Sequence, residues 1–210
     1  MSSPPLRVCV FCSASERVDP RYRRVAAQLG AALAEAGWEL VYGGGNLGLM
    51  GEVARAALAG GARVTGVIPE SLAIREIALD EVTELIRTDT MRERKALMDE
   101  RSDAFVVLPG GIGTLEELVE ILTLKQLGFH GRAIVVLDAD GYWDPLLEQV
   151  DRMVDGHLAA PSLREMWEIV PDVGKAMDTL ARYRPPPPVP PPAELELETL
   201  PTPPGTPTGG

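Results

Sequence analysis

Five short apolar runs punctuate the chain: Leu6–Phe11, Trp38–Tyr42, Val64–Ile68, Phe105–Leu108 and Ala133–Leu137. They are rich in β-branched residues and lack polar–apolar alternation, the pattern of strands buried on both faces. Between them, apolar residues recur with helical period at Tyr22–Ala36, Leu49–Ala59, Thr90–Arg101 and Thr114–Leu127, and again at Trp143–Val154. A weaker strand signal lies in Asp80–Arg87, carried by Val82, Leu85 and Ile86. Strand and helix alternating in this way predict an α/β fold, a doubly wound parallel sheet with helices on both faces.

The pattern stops at Arg184. Pro185–Pro192 is nearly all proline, Ala193–Leu200 is an acidic Glu/Leu patch, and the chain ends in Pro, Thr and Gly. Such a segment buries no core, so the sequence divides into one domain over residues 1–183 and a proline-rich, disordered tail over 184–210. With 45% hydrophobic residues in 210, one substantial core is available. The net charge of -11 argues against a nucleic-acid surface, which needs a basic face. No run approaches the length of a membrane span and Met1–Arg7 carries no signal-peptide pattern, so the expected compartment is the cytoplasm. Cys9 and Cys12 have C-x-x-C spacing, yet no second pair or histidine cluster completes a metal site. They read as buried free thiols, and no metal is expected.

Two glycine turns carry the candidate chemistry. The run Ala104–Leu108 leads directly into Pro109-Gly110-Gly111-Ile112-Gly113-Thr114-Leu115-Glu116-Glu117. A strand ending in a glycine turn that opens a helix makes a seat for an anion, because the free N–H groups of the first turn point at it. Two carboxylates in that first turn are unexpected for an anion site unless one has another task. On the helical wheel Glu116 groups with Glu120 and Thr123, whereas Glu117 falls between Ile121 and Leu124 on the edge of the apolar side. Glu117 is therefore the carboxylate expected to be held partly buried, as a general acid or base or as a stabiliser of an oxocarbenium-like sugar cation.

The second turn, Gly43-Gly44-Gly45-Asn46-Leu47-Gly48, follows the run Trp38–Tyr42 and fits G-x-G-x-x-G, with Glu70 some distance on. A dinucleotide site is one reading, weakened because the cluster follows the second strand instead of the first. Tight turns and close helix packing are another. A third makes the two glycine turns opposite walls of one crevice at the C-terminal sheet edge. In Met91–Met98, residues Met91, Arg94, Lys95 and Met98 share one helical face. A basic pair on an apolar face needs an anionic partner, either a ligand or an internal carboxylate such as Glu117 or Glu76.

Together these residues resemble the LOG ("lonely guy") family of cytokinin riboside 5'-monophosphate phosphoribohydrolases, long labelled lysine decarboxylase-like. The family's P-G-G-x-G-T-x-x-E matches Pro109–Glu117, its glycine cluster resembles Tyr42–Gly51 and its Arg-Lys helix resembles Met91–Met98. The similarity extends over most of residues 6–182. It implies a Rossmann-like fold, a homodimer, and hydrolysis of the N-glycosidic bond of N6-substituted AMP to free base and ribose 5-phosphate, with no cofactor; the two glycine turns and the basic helix extend the expectation to AMP itself. By matched position it implies Arg94 and Glu117 as the catalytic pair. The nucleotide site it implies comprises Glu76, Arg94, Lys95, Gly110, Gly111, Ile112, Gly113, Thr114, Leu115, Glu116, Glu117 and Thr123, with Gly44 and Gly45 from the second turn.

The chain departs from the family in having Ser13-Ala14-Ser15 where Gly-Ser-Ser is usual, Arg92 in place of a common histidine and Leu124 in place of a common tryptophan. These changes bear on the pocket around the phosphate and the base. The decarboxylase label requires a Schiff-base lysine, for which only Lys95, Lys125 and Lys175 exist. A nucleotide or molybdenum-cofactor carrier on the same fold is the competing reading. Such a carrier has no use for a Glu117–Arg94 pair.

Overall fold

The computed structural model describes residues 4–73 and 78–184. In chain order the elements are β1 (Arg7–Phe11), α1 (Pro20–Glu35), β2 (Glu39–Tyr42), α2 (Gly48–Ala59), β3 (Val64–Pro69), α3 (Glu70–Ala73), β4 (Glu84–Thr88), α4 (Met91–Glu100), β5 (Ala104–Val107), α5 (Ile112–Gln126), β6 (Ala133–Leu137), α6 (Asp144–Asp155), β7 (Glu168–Val170) and α7 (Val173–Arg182). The seven strands form one sheet in the order β4-β3-β2-β1-β5-β6-β7, and every pairing between strands is parallel. This is the expected doubly wound α/β architecture. The direction of winding reverses between β1 and β5, and a crevice opens there beyond the carboxyl ends of the strands.

Side-chain alternation along each buried strand divides the core into two layers. Val8, Val10, Leu40, Tyr42, Val106 and Val135 face α1, α2 and α7, whereas Cys9, Phe11, Val41, Phe105, Val107 and Val136 face α4, α5 and α6. Both faces are covered by helices, which explains why these runs show no polar alternation. Cys9 and Cys12 fall in opposite layers, both free and buried. Burial pushes both thiols upward in pKa.

The weak Asp80–Arg87 signal corresponds to β4, an edge strand of mostly intermediate burial. The short α3, β7 and α7 are absent from the sequence reading. β7 has three residues with only Val170 buried, too few for a period to register. α5 begins at Ile112, two residues before the expected start, because Gly111 in extended conformation is its N-cap. Glu116 and Glu117 consequently lie in the second turn, beyond the strongest field of the helix terminus. Helix-dipole stabilisation therefore does not account for them. The proline-rich tail from Pro185 onward lies outside the described residues. Among the described residues no helix is long and apolar enough to cross a membrane.

Candidate active site

The β1/β5 reversal brings three loop ends together. One is the segment after β1, Cys12–Ala14; the second is Gly43, just past β2; the third is the Gly111–Thr114 start of α5. All three line a cavity of about 350 Å³ that also receives Met50, Leu72, Met91, Arg94, Glu116 and Glu117. The two glycine turns thus form walls of one crevice, separated by β1. At the mouth of α5 no side chain caps the helix, so the first-turn N–H groups are available to an anion. Thr114 is buried at the third helical position, and a methyl group on Gly110 would overlap its side chain. Gly110 is therefore required for the turn to close on Thr114.

Arg94 and Glu117 form a buried ion pair across this cavity. Their side chains are 6% and 5% exposed, and Arg94 Nη1 donates to Glu117 Oε1 over 2.8 Å. The guanidinium is held from behind, with Nε donating to the Val67 carbonyl of β3 over 3.0 Å. The local sequence fixes this placement. Thr90 caps α4 by accepting from the Glu93 amide, and Glu93 reaches back to the Asp89 amide. Arg94 then points inward one turn later. Gly43 completes the seat, because any Cβ there would collide with the Arg94 guanidinium.

Desolvation raises the Glu117 carboxyl above the ordinary carboxylate range, and Arg94 offsets this by charge and hydrogen bond. Its Oε2 has no hydrogen-bond partner among the described residues, so one oxygen is fixed and the other is left for a ligand.

Lys95 takes different partners, pairing with Glu116 and, at 3.0 Å, with Glu120. Burial lowers its pKa, but the hydrogen bonds that Lys95 donates to these two carboxylates prevail and the net shift is upward. Glu116 is exposed yet paired. Met91, expected on the inward face, is 46% exposed and only edges the cavity.

The remaining expected residues are distributed as follows. Ile112 and Gly113 line the cavity. Leu115 and Gly110 border a separate open depression beside Tyr142 and Trp143. Thr123 lies outside both α5 cavities, its Oγ1 bonded to the Val119 carbonyl. Gly44 packs with positive φ against Val67 and Ile68, and Gly45 bridges Ala78; both are buried and neither lines the cavity. Glu76 lies outside the described residues.

Among the contributors that escaped the list drawn from sequence are the Cys12–Ala14 segment, Gly43, Met50, Leu72 and the Val67 carbonyl. Gly43 was legible as a glycine following a strand, but its task depends on a residue about fifty positions away. A backbone carbonyl leaves no side-chain signal at all. The dinucleotide reading of the Gly43–Gly48 cluster loses its basis, because the glycines there accommodate protein atoms, and Glu70 pairs with the exposed Arg87.

A second cavity, about 410 Å³, lies between α4 and α5 and shares Glu117 with the first. None of the three lysines suits Schiff-base chemistry. Lys95 is held charged, Lys175 is exposed on α7, and Lys125 is bound to the Arg132 carbonyl and the Tyr183 hydroxyl away from both cavities.

Residues 50–180 match the family model described as "Possible lysine decarboxylase". The chain is 47% identical over 179 residues to the probable cytokinin riboside 5'-monophosphate phosphoribohydrolase LOGL9 of Oryza sativa subsp. japonica, covering 85% of this chain and 79% of that protein. It is 42% identical to the cytokinin riboside 5'-monophosphate phosphoribohydrolase LOG2 of Arabidopsis thaliana, covering 85% and 84%. Among solved structures, the molybdenum cofactor binding protein of Rippkaea orientalis superposes with a TM-score of 0.66 at 22% identity, covering 86% of this chain and 98% of that one. The molybdenum cofactor carrier protein of Chlamydomonas reinhardtii gives 0.63 at 22% identity, covering 85% and 97%. At that identity the likeness establishes the shared fold alone. Motifs, site geometry and sequence identity agree that this chain belongs to the LOG family, the group whose matching model carries the lysine decarboxylase description.

Proposed function

We propose that this protein is a phosphoribohydrolase: it hydrolyses the N-glycosidic bond of an N6-substituted adenosine 5'-monophosphate, releasing the free base and ribose 5-phosphate. The observation that carries this reading is the Arg94–Glu117 pair, buried in the cavity that the uncapped start of α5 opens into. Glu117 follows Ile112 by five residues, about 7 Å along the helix axis. A phosphate seated on the Gly111–Thr114 amides thereby places a ribose beside the free Oε2 of Glu117.

The chemistry follows from that placement. As the bond between the anomeric carbon and the base nitrogen breaks, positive charge develops on the sugar, and a fixed carboxylate in a desolvated site stabilises it. Water delivers its hydroxyl to the anomeric carbon as Glu117 accepts its remaining proton, and that same proton passes to the departing base nitrogen, restoring the carboxylate. Arg94 holds Glu117 in a single rotamer, so little reorganisation accompanies the reaction. The carrier alternative makes no use of this pair, and the family relatives bear hydrolase names.

The exposed Ile112, Val119, Leu127 and Phe129 on and after α5 support a homodimer built on that side. We place the protein in the cytoplasm, where its two buried thiols stay reduced. The test of the activity is incubation of purified protein with N6-isopentenyl-AMP and with AMP, following base and ribose 5-phosphate by chromatography. Equimolar release of both products is expected. Nucleotide left intact at high enzyme concentration rejects the reading.

A further inference from the structure

Tyr142 reaches the anion seat from a neighbouring strand. β6 lies beside β5 and runs parallel to it, so the loops that follow the two strands meet at the same sheet edge. There the Tyr142 hydroxyl donates a hydrogen bond to the carbonyl of Gly110, the residue before the N-cap of α5. We propose that Tyr142 is a positioning residue for the anion seat: its hydroxyl holds the Gly110–Gly111 peptide with the Gly111 N–H turned toward the substrate phosphate. The proposal rests on the hydrolase reading above.

The need for such a hold lies in the glycines. The Gly110 carbonyl and the Gly111 N–H belong to one planar trans peptide and point in opposite directions. The peptide that follows is fixed by α5 itself, since the Gly111 carbonyl accepts from the Leu115 amide over 3.0 Å. Between two glycines no side chain resists rotation of the preceding plane, and a Cβ on Gly111 would meet nothing within 4 Å. Both glycines border the depression beside Tyr142, but of the two only Gly111 also lines the anion cavity. A carbonyl held toward Tyr142 therefore turns the N–H toward the cavity. Donation to that carbonyl also polarises the peptide and strengthens its N–H as a donor.

The surroundings of Tyr142 keep its hydroxyl in place. Asp140 and Gly141 have positive φ, at 60° and 72°, and the Asp138 carboxylate closes the turn by accepting from the Trp143 amide over 2.7 Å. The Tyr142 ring makes edge-on contacts with Tyr22 of α1 and with Trp143, at centroid distances of 5.7 and 5.0 Å. Arg21 ties these parts together, pairing with Asp140 at 3.0 Å and lying over the Tyr22 ring. The frame carries backbone strain at Asp140, yet the side chain it delivers is 39% exposed, so core packing does not account for it.

The experiment compares the natural protein with Tyr142→Phe, which keeps the ring contacts and removes the hydroxyl. Calorimetry measures Kd for ribose 5-phosphate, and inhibition kinetics measure Ki for the phosphate-free product N6-isopentenyladenine. In the variant the ribose 5-phosphate Kd is expected to rise about fivefold, the scale of one lost hydrogen bond. KM for N6-isopentenyl-AMP is expected to rise with it while kcat changes by less than about twofold, the pattern of a contact shared by ground and transition states. Ki for the base stays within about twofold, because the base does not touch the seat.

A ribose 5-phosphate Kd within about twofold of the natural value, or an equal loss of affinity for the base, overturns the role of Tyr142 while leaving the hydrolase reading standing. Natural protein that neither binds ribose 5-phosphate nor releases base overturns the hydrolase reading, and this proposal with it.

Discussion

Glu117 combines burial with a single cationic partner, and the two have opposite effects on its titration. Desolvation is the larger, so its carboxyl titrates above the ordinary value despite Arg94. A carboxyl-selective NMR titration is expected to place Glu117 above the usual range of about 4.3, and Arg94→Met is expected to move it higher still. A downward move in that variant contradicts the assigned roles. The linkage has a definite sign. A carboxyl raised on folding contributes stability that is present below its unfolded pKa and lost as pH rises through the folded one. Glu117→Gln removes that loss, so urea denaturation at pH 4 and pH 7 is expected to show the variant gaining on the natural protein as pH rises. Gly43 belongs to the same scale. Gly43→Ala drives a methyl group into the Arg94 guanidinium, and the expected result is a fall in kcat of about a hundredfold, since small displacements of catalytic groups carry such penalties. Unchanged kcat removes Gly43 from the positioning of Arg94. Motif and wheel together pointed to Glu117 and Arg94, but the partner of Lys95 and the seat supplied by Gly43 require long-range contacts that no local pattern encodes.

α4 and α5 present the pair because their starting points are fixed. α4 is set by the Thr90 cap with Glu93, so Thr90→Ala is expected to lower unfolding stability by about 1 kcal/mol in chemical denaturation, with a loss of turnover as Arg94 loosens. Stability and turnover both unchanged would show that the cap does not position the helix. α5 starts on Gly111 without a side-chain cap, which leaves its amides open for an anion. Five strands and five helices were legible because their apolar residues repeat over enough positions, and even the edge strand β4 left a trace in Val82, Leu85 and Ile86. β7 left none, being a three-residue strand whose place is set by pairing with β6. The first turn of α5 was hidden for a different reason. Ile112 and Gly113 are exposed, and exposed residues carry no periodic signal.

The whole molecule places its chemistry where a parallel sheet reverses its winding, between β1 and β5, so the loops after both strands meet over one crevice. That geometry is shared with carriers of low identity, and the fold by itself does not select a reaction. The proposed hydrolase reading assigns that selection to the buried Arg94–Glu117 pair. Assembly is a separate property of the surface. Val119→Asp, on the exposed apolar side of α5, is expected to convert a dimer into a monomer near the 22.6 kDa chain mass in light scattering after size exclusion. A natural protein already at that mass contradicts the dimer. The most direct test of the central claim compares the natural protein with Glu117→Gln on N6-isopentenyl-AMP, measuring kcat for base release alongside the affinity for ribose 5-phosphate. The account predicts kcat lower by about a thousandfold with ribose 5-phosphate affinity retained. Release of base at the natural rate by the variant contradicts it.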